Sequence, residues 1–256
     1  MKLPLWFEIG SLTILCLILL ADLILAFRRP HEPSPKEAGA WVTFYVSLAL
    51  VFGGVMWLLV DHQYAGEFIA GWLTEYSLSL DNLFVFILIL AKMRVPRKYQ
   101  QSVLMVGIVI ALILRAIFIL VGVTLIEHFT WVFFIFGAWL LWVAIGQLRP
   151  SEEETEEGLK ENAIIRLLRK RFPLSSEYDG SRLRTRVDGR WMLTPMLLVF
   201  LSIGTTDLMF ALDSIPAIFG LTDSAFIVFT ANIFALMGLR QLYFLLGGLI
   251  NKLTYL

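Results

Sequence analysis

Glu75-Tyr-Ser-Leu-Ser-Leu-Asp81-Asn82 and Asp207-Leu-Met-Phe-Ala-Leu-Asp213-Ser214 are two acidic stretches set inside long apolar runs. In each, two carboxylates lie six positions apart, and an amide or hydroxyl residue follows the second. A charge within a lipid-spanning helix costs several kcal/mol, so acids there mark a pathway or a binding site. The pattern occurs twice, which points to one site built from two halves of a repeat.

The surrounding composition supports a membrane reading. The 256 residues are 58% hydrophobic and 16% charged, with a mean hydropathy of +0.77. A soluble domain of this length carries more charge and fewer long apolar runs. The formal net charge is zero, so nothing in the total favours a nucleic-acid partner. Cys16 is the single cysteine and lies in an apolar run, so no intrachain disulfide, CxxC motif or zinc site is expected.

Apolar runs of about 20 residues cross a bilayer as helices. Seven are legible: Leu5–Phe27, Trp41–Val60, Phe68–Leu90, Ser102–Val123, Trp131–Leu148, Met192–Phe219 and Ala225–Ile250. The expected fold is an all-α, polytopic transmembrane helical bundle. Lys and Arg alternate across its loops. Arg28, Arg29 and Lys36 follow span one, and Lys92, Arg94, Arg97 and Lys98 follow span three. Ten basic residues lie between Arg149 and Arg190, and Lys252 follows span seven. The loops after spans two, four and six hold none. The positive-inside rule then puts the N-terminus outside and the C-terminus in the cytoplasm.

The expected organisation is a two-helix segment (1–67), a first three-span repeat (68–149), a charged cytoplasmic loop (150–191) and a second repeat (192–256). The loop opens on Ser151-Glu-Glu-Glu-Thr-Glu-Glu157, followed by a basic, helix-like stretch from Leu159 to Arg171. A solvated linker with a surface helix accounts for that pattern. Metal sensing by the acidic run is the sharper alternative.

On this topology span three runs inward and span six outward, so the two acidic stretches lie on antiparallel helices. Each is followed by a span with one arginine, Arg115 and Arg240. Inverted repeats of this kind build transporters whose site lies near the midplane at the repeat interface. Six residues correspond to about 9 Å of rise and about 600° of turn, so the acids of one stretch do not share a face. Stacking two antiparallel helices gives two tiers, Glu75 with Asp213 and Asp81 with Asp207. Asn82 and Ser214 add neutral oxygens. Pro216, which lacks an N–H, is expected to break span six and free carbonyl oxygens.

The four acids Glu75, Asp81, Asp207 and Asp213 carry −4 and the arginines Arg115 and Arg240 carry +2, leaving −2, which a divalent cation neutralises. Carboxylate, amide and hydroxyl oxygens suit Mg²⁺, Ca²⁺ or Mn²⁺ rather than zinc or copper. Arg115 and Arg240 read as structural counter-ions, because guanidinium repels a metal and pairs with carboxylate. Glu75 and Asp207 also admit a purely structural role, holding helices together through such pairs. Asn232 and Asp22 are accessory candidates. A helix–helix hydrogen bond is the other role for Asn232, and an interfacial acid is the other role for Asp22.

These motifs resemble the TerC family of integral membrane proteins, within the LysE-like exporter group. The resemblance rests on Glu75-Tyr-Ser-Leu-Ser-Leu-Asp81-Asn82-Leu-Phe-Val-Phe86 and Thr206-Asp-Leu-Met-Phe-Ala-Leu-Asp213-Ser-Ile-Pro-Ala-Ile-Phe219. It extends through Asn232-Ile-Phe-Ala-Leu-Met-Gly-Leu-Arg240-Gln-Leu-Tyr-Phe244 and covers most of the chain. The resemblance implies a multi-pass protein of the bacterial plasma (inner) membrane, in a family named for tellurium resistance. It further implies manganese export, with Glu75, Asp81, Asp207 and Asp213 at the metal positions. Two features depart from the family pattern. Gly204 stands where many members carry a glutamate, and the chain stops at Asn251-Lys-Leu-Thr-Tyr-Leu256, where members continue through further helices. By repeat logic the second half lacks its third span.

The leading expectation is an exporter of a divalent cation, Mn²⁺ before Ca²⁺, with no resident cofactor. Its expected partners are the cation, the lipid bilayer and no nucleic acid. The rivals are an exporter of another small substrate, such as an amino acid or oxyanion, and a non-transporting membrane scaffold for stress or secretion complexes. No HExxH or GxSxG motif is present, so no enzymatic activity is expected.

Overall fold

The computed structural model describes residues 3–28, 33–129, 131–147, 173–175, 177–180, 182–187, 190–239 and 241–246. Its elements are α1 (Leu5–Arg28), α2 (Pro35–Leu59), α3 (His62–Lys92), α4 (Arg97–His128), α5 (Val132–Gln147), β1 (Arg184–Val187), β2 (Arg190–Leu193), α6 (Pro195–Phe219) and α7 (Ala225–Leu236). The acidic run from Ser151, the basic stretch from Leu159 to Arg171, Arg240, and 247–256 lie outside the described residues.

The fold is an all-α membrane bundle. Among the described residues, six helical stretches are long and apolar enough to cross a bilayer: α1, α2, α3, α4, α6 and the stretch Ala225–Leu246 that contains α7. α5 is described over 16 residues, about 24 Å of rise, and the residues that follow it lie outside the described ones. The helices outrun their apolar cores, because polar residues at the ends continue the backbone ladder into the interface. α3 starts at His62 rather than Phe68, where Asp61 Oδ1 accepts from the Gln63 N–H at 2.7 Å. α2 starts at Pro35 behind Ser34, whose hydroxyl accepts from the Glu37 N–H, with proline at the first helical position.

Packing sets the relative directions. α4 runs alongside α6 in the same sense. Gly107 lies under Ile203, Arg115 beside Asp207, and Gly122 under Phe219. A Cβ on Gly122 would come within 2.8 Å of the Phe219 ring, so glycine permits that approach. α3 and α7 also share a direction. Glu67 meets Thr222 at one end, while Leu90 and Val95 share a core with Leu242 and Tyr243 at the other. α3 and α6 are antiparallel, since Leu83–Leu90 pack with Met196–Ile203. The antiparallel placement of the two acidic stretches is therefore present in the packing.

Two local expectations change. α6 runs unbroken through Pro216 and ends at Gly220, whose N–H reaches Pro216 O at 3.1 Å. Proline forfeits a single ladder bond there, one turn before the helix ends, where the cost is small. The break falls instead in the last span. α7 stops at Leu236, Gly238 adopts φ +89°, and helix resumes through 241–246.

Between α5 and α6, β1 and β2 form an antiparallel hairpin with Arg184 opposite Leu193 and Arg186 opposite Trp191. Tyr178 ties this region to the α3–α4 turn, its hydroxyl donating to Met93 O at 2.7 Å. Burial pushes the Tyr178 phenol above its ordinary pKa.

Gly238 is the point where backbone geometry limits the sequence. A side chain there would take a disfavoured positive φ and meet Tyr45 Cδ2 at 3.2 Å. Gly238→Ala is expected to destabilise the chain by about 1–3 kcal/mol. Thermal unfolding in detergent, wild type against variant, measures this.

Candidate functional site

Glu75, Ser79 and Asn82 recur on α3 at i, i+4 and i+7, so they share one face, and all three are buried. On α6, Asp207 and Ser214 are buried seven residues apart. α4 contributes Arg115 and α7 contributes Asn232. Glu75, Asn82, Asp207 and Asn232 converge on Arg115 where the four helices meet.

Arg115 is the centre, 1% exposed. Its Nη1 donates to Glu75 Oε2 and, at 2.7 Å, to Asn232 Oδ1. Its Nη2 lies 3.6 Å from Asp207 Oδ1 as an ion pair. With its amide oxygen turned toward the guanidinium, Asn82 accepts from Nη2 at 3.2 Å, and its NH₂ donates to Leu78 O at 3.0 Å. The Asn232 NH₂ donates back to Val228 O at 3.1 Å, which fixes its oxygen toward Arg115. Guanidinium suits this task because its rigid fork serves several acceptors at once.

The cluster is incompletely satisfied. Glu75 Oε1, Asp207 Oδ2, Arg115 Nε and the hydroxyls of Ser79 and Ser214 are buried without a hydrogen-bond partner among the described residues. Glu75 and Asp207 carry −2 and Arg115 +1, leaving −1 in a site closed to solvent. Each orphaned buried polar atom costs about 1–3 kcal/mol. An arrangement that only joined helices would gain by satisfying these groups or replacing them with apolar ones. Unpartnered anionic oxygen is what a cation or a proton would occupy.

The expected tier of Asp81 with Asp207 gives way to a different grouping. Glu75 and Asp207 stand at one level on either side of Arg115, while Asp81 is exposed on another face of α3. Helical phase explains this. Six residues from Glu75 give about 600° of turn and leave Asp81 off the buried face, whereas seven give about 700° and return Asn82 to it. The side chain of Asp213 lies outside the described residues, as does Arg240. Asp22 is remote from the cluster and lines a small cavity with Met237, Gly238 and Gln241. Among the described residues no three His, Cys, Asp or Glu side chains form a metal-binding group.

Two further polar residues enter that the octapeptide pattern did not single out. Ser79 is legible as the i+4 partner of Glu75. Glu67 is not: it accepts from Thr222 Oγ1 at 2.6 Å and from Gln63 Nε2 at 2.8 Å, tying α3 to the α6–α7 turn. Only the fold brings Thr222 to it.

The sequence profile described as the Integral membrane protein TerC family matches residues 60–256. An uncharacterized membrane protein of Mycobacterium tuberculosis is 43% identical over 252 residues, 97% of this chain and 64% of that protein. The chain thus spans less than two thirds of that relative's length. An uncharacterized membrane protein of Myxococcus xanthus is 42% identical over 249 residues, 96% of this chain and 77% of its own length. A protein of Escherichia coli named Alx, described as a candidate membrane-bound redox modulator, is 36% identical over 257 residues, 96% of this chain and 79% of its own. No solved structure matches the chain.

Arg115→Met removes the charge while keeping much of the volume, and strands Glu75 and Asp207 as buried, mutually repelling acids. We expect a loss of about 3–5 kcal/mol. Adding Glu75→Gln to Arg115→Met should recover part of it, since one stranded charge is then gone. A double-mutant cycle by thermal unfolding in detergent reads both effects.

Proposed function

The chain belongs to the TerC family of integral membrane proteins, and on that premise we propose that it exports a divalent metal cation across a bacterial plasma membrane. The observation that carries the reading is the pair of buried, unpartnered carboxylate oxygens, Glu75 Oε1 and Asp207 Oδ2, facing one guanidinium at the junction of two antiparallel helices. Polar groups of this kind inside a membrane bundle mark ion pathways. The acceptors gathered around Arg115 are all oxygen: two carboxylates and the amides of Asn82 and Asn232. That set admits Mn²⁺ or Ca²⁺. Mn²⁺ stands first because of the family resemblance.

Arg115 acts as a tethered cation in this scheme. With no cargo bound, its guanidinium neutralises half of the carboxylate charge and keeps the empty site closed. An arriving divalent ion competes for Glu75 and Asp207, and the displaced guanidinium retains Asn232 and Asn82 as acceptors. Movement of the α3–α4 unit against the α6–α7 unit would then open the site to either side, as in transporters built from inverted repeats. Asp81 and Asp213, about one and two-thirds turns along their helices from Glu75 and Asp207, would serve entry and release.

A scaffold role asks of the cluster only that it hold helices together, and the orphaned oxygens weigh against that. A redox role of the kind named for the E. coli relative finds little support in thiol chemistry, because these residues hold one cysteine, exposed Cys16.

The test is Mn²⁺, Ca²⁺ and Zn²⁺ flux into proteoliposomes. Wild type should carry Mn²⁺, and Glu75→Gln and Asp207→Asn, both close in shape to the native residues, should each lower the flux at least about tenfold, equivalent to about 1.4 kcal/mol. Asp81→Asn and Asp213→Asn should lower it as well. Unchanged Mn²⁺ flux in both Glu75→Gln and Asp207→Asn would overturn the reading, as would a wild type that carries no metal.

A further inference from the structure

We infer that the β1–β2 hairpin is a binding surface for anionic phospholipid headgroups, held at the bilayer surface where α6 enters the membrane. The hairpin runs straight into that helix: β2 ends at Leu193 and α6 begins at Pro195. Thr194 between them is buried and clamps the hairpin in place. Its N–H donates to Leu183 O at 3.0 Å, and its hydroxyl donates to Arg182 O. Leu193 is held as well: its N–H donates to Pro173 O at 3.0 Å, and its carbonyl accepts from the Ser175 N–H at 2.8 Å. Tyr178 adds the tie to the α3–α4 turn at Met93 O. Trp191 stands four residues before Pro195, at most about 14 Å of extended chain. The headgroup layer fills about 5–8 Å beyond each face of the hydrocarbon core, so the hairpin is held close to it.

The residues presented there suit an amphipathic ligand that carries phosphate. Register sets Arg184 opposite Leu193 and Arg186 opposite Trp191, so these four side chains share one face of the hairpin. Trp191 is 61% exposed and Leu183 46%, and Arg182, Arg184 and Arg186 are exposed beside them. The Arg184 guanidinium carbon lies 5.0 Å from the centre of the Trp191 ring. Stacking of this kind steadies the cation and leaves its N–H fork for a ligand. These residues, with Asp179 and Thr185, line an open concavity of about 640 Å³. Asp179 is spent within the hairpin region, because its Oδ2 accepts from Thr185 Oγ1 at 2.8 Å and lies 3.5 Å from Arg182 Nη1. Among the described residues the lining thus sets three guanidinium groups against one carboxylate, leaving +2.

The charge selects an anion, and the exposed indole and leucine select one attached to an apolar body. Guanidinium forks match phosphate oxygens two at a time. An indole at headgroup level keeps its ring on the acyl boundary and its polar edge in the wet layer. Basic clusters just outside a membrane helix draw anionic lipid, and Lys92, Arg94, Arg97 and Lys98 stand on the α3–α4 turn to which Tyr178 is tied. A soluble phosphate would engage the arginines alone and leave Trp191 and Leu183 in water. The surface is separate from the Arg115 cluster and stands whether or not the chain exports a metal.

The test titrates short-chain phosphatidylglycerol, and phosphatidylcholine with the same chains, into the purified full chain in an uncharged detergent, with binding read by calorimetry. Wild type should bind phosphatidylglycerol at least about tenfold more tightly than phosphatidylcholine. The double variant Arg184→Gln, Arg186→Gln should lose that preference, and Trp191→Ala should weaken binding several-fold. The pair Arg184→Lys, Arg186→Lys keeps the charge and should retain most of the preference, which separates loss of the site from loss of the fold. Arg97→Gln with Lys98→Gln removes the same charge from the neighbouring turn and should leave binding within about twofold of wild type. Equal affinity of wild type for the two lipids would overturn the inference. So would an equal loss in the Arg97→Gln, Lys98→Gln variant, which would make the effect one of general surface charge. Inorganic phosphate bound as tightly as phosphatidylglycerol would also overturn it, as an anion site with no use for the lipid.

Discussion

One buried guanidinium organises the membrane core. Arg115 reaches Glu75 on α3, Asp207 on α6 and Asn232 on α7 from its own position on α4. Removing a guanidinium and two carboxylates from water is expensive, and their mutual attraction offsets this only when the geometry is right. That requirement couples the four helices. A shift of any one of them by an ångström or two takes an acid out of reach of its counter-ion. The apolar packing around the cluster is less demanding, because lipid tails solvate a displaced leucine about as well as a neighbouring helix does.

The cluster is also under-satisfied, and this separates a working site from a brace. A pair built only for stability would present both oxygens of each carboxylate to donors. Here one oxygen of Glu75 and one of Asp207 face no donor among the described residues, and the hydroxyls of Ser79 and Ser214 on the same two helices are equally unspent. The same imbalance recurs at Gln241, beside the break at Gly238. Both places lie on the helices that bear the acidic stretches or their arginines. Polar groups left short of partners inside an apolar bundle are the physical signature of a path for something that brings its own charge.

Much of this was legible in the residues. Long apolar runs predict membrane helices, because no other open structure satisfies backbone groups in lipid. The antiparallel placement of the acidic stretches followed from loop charges, and the packing of Leu83–Leu90 against Met196–Ile203 has that sense. Two readings failed for instructive reasons. Pro216 suggested a break, but a proline one turn from a helix end costs little, and a glycine at positive φ was the stronger breaker. The pairing of Asp81 with Asp207 went by depth alone and ignored phase, which carries Asp81 away from the face that holds Glu75 and Asn82.

The sequence by itself determined the all-α membrane bundle, the family, and Glu75, Asn82, Asp207, Ser214, Arg115 and Asn232 as residues worth watching, because periodicity and the cost of charge in lipid are local properties of the chain. Only the tertiary structure decided that Glu75 and Asp207 share one arginine, that Asp81 does not join them, and that Asp22 and Gln241 line one small cavity beside a helix break. Those facts depend on the rotation of each helix about its axis. Packing between helices sets that rotation, and no spacing within a single helix encodes it.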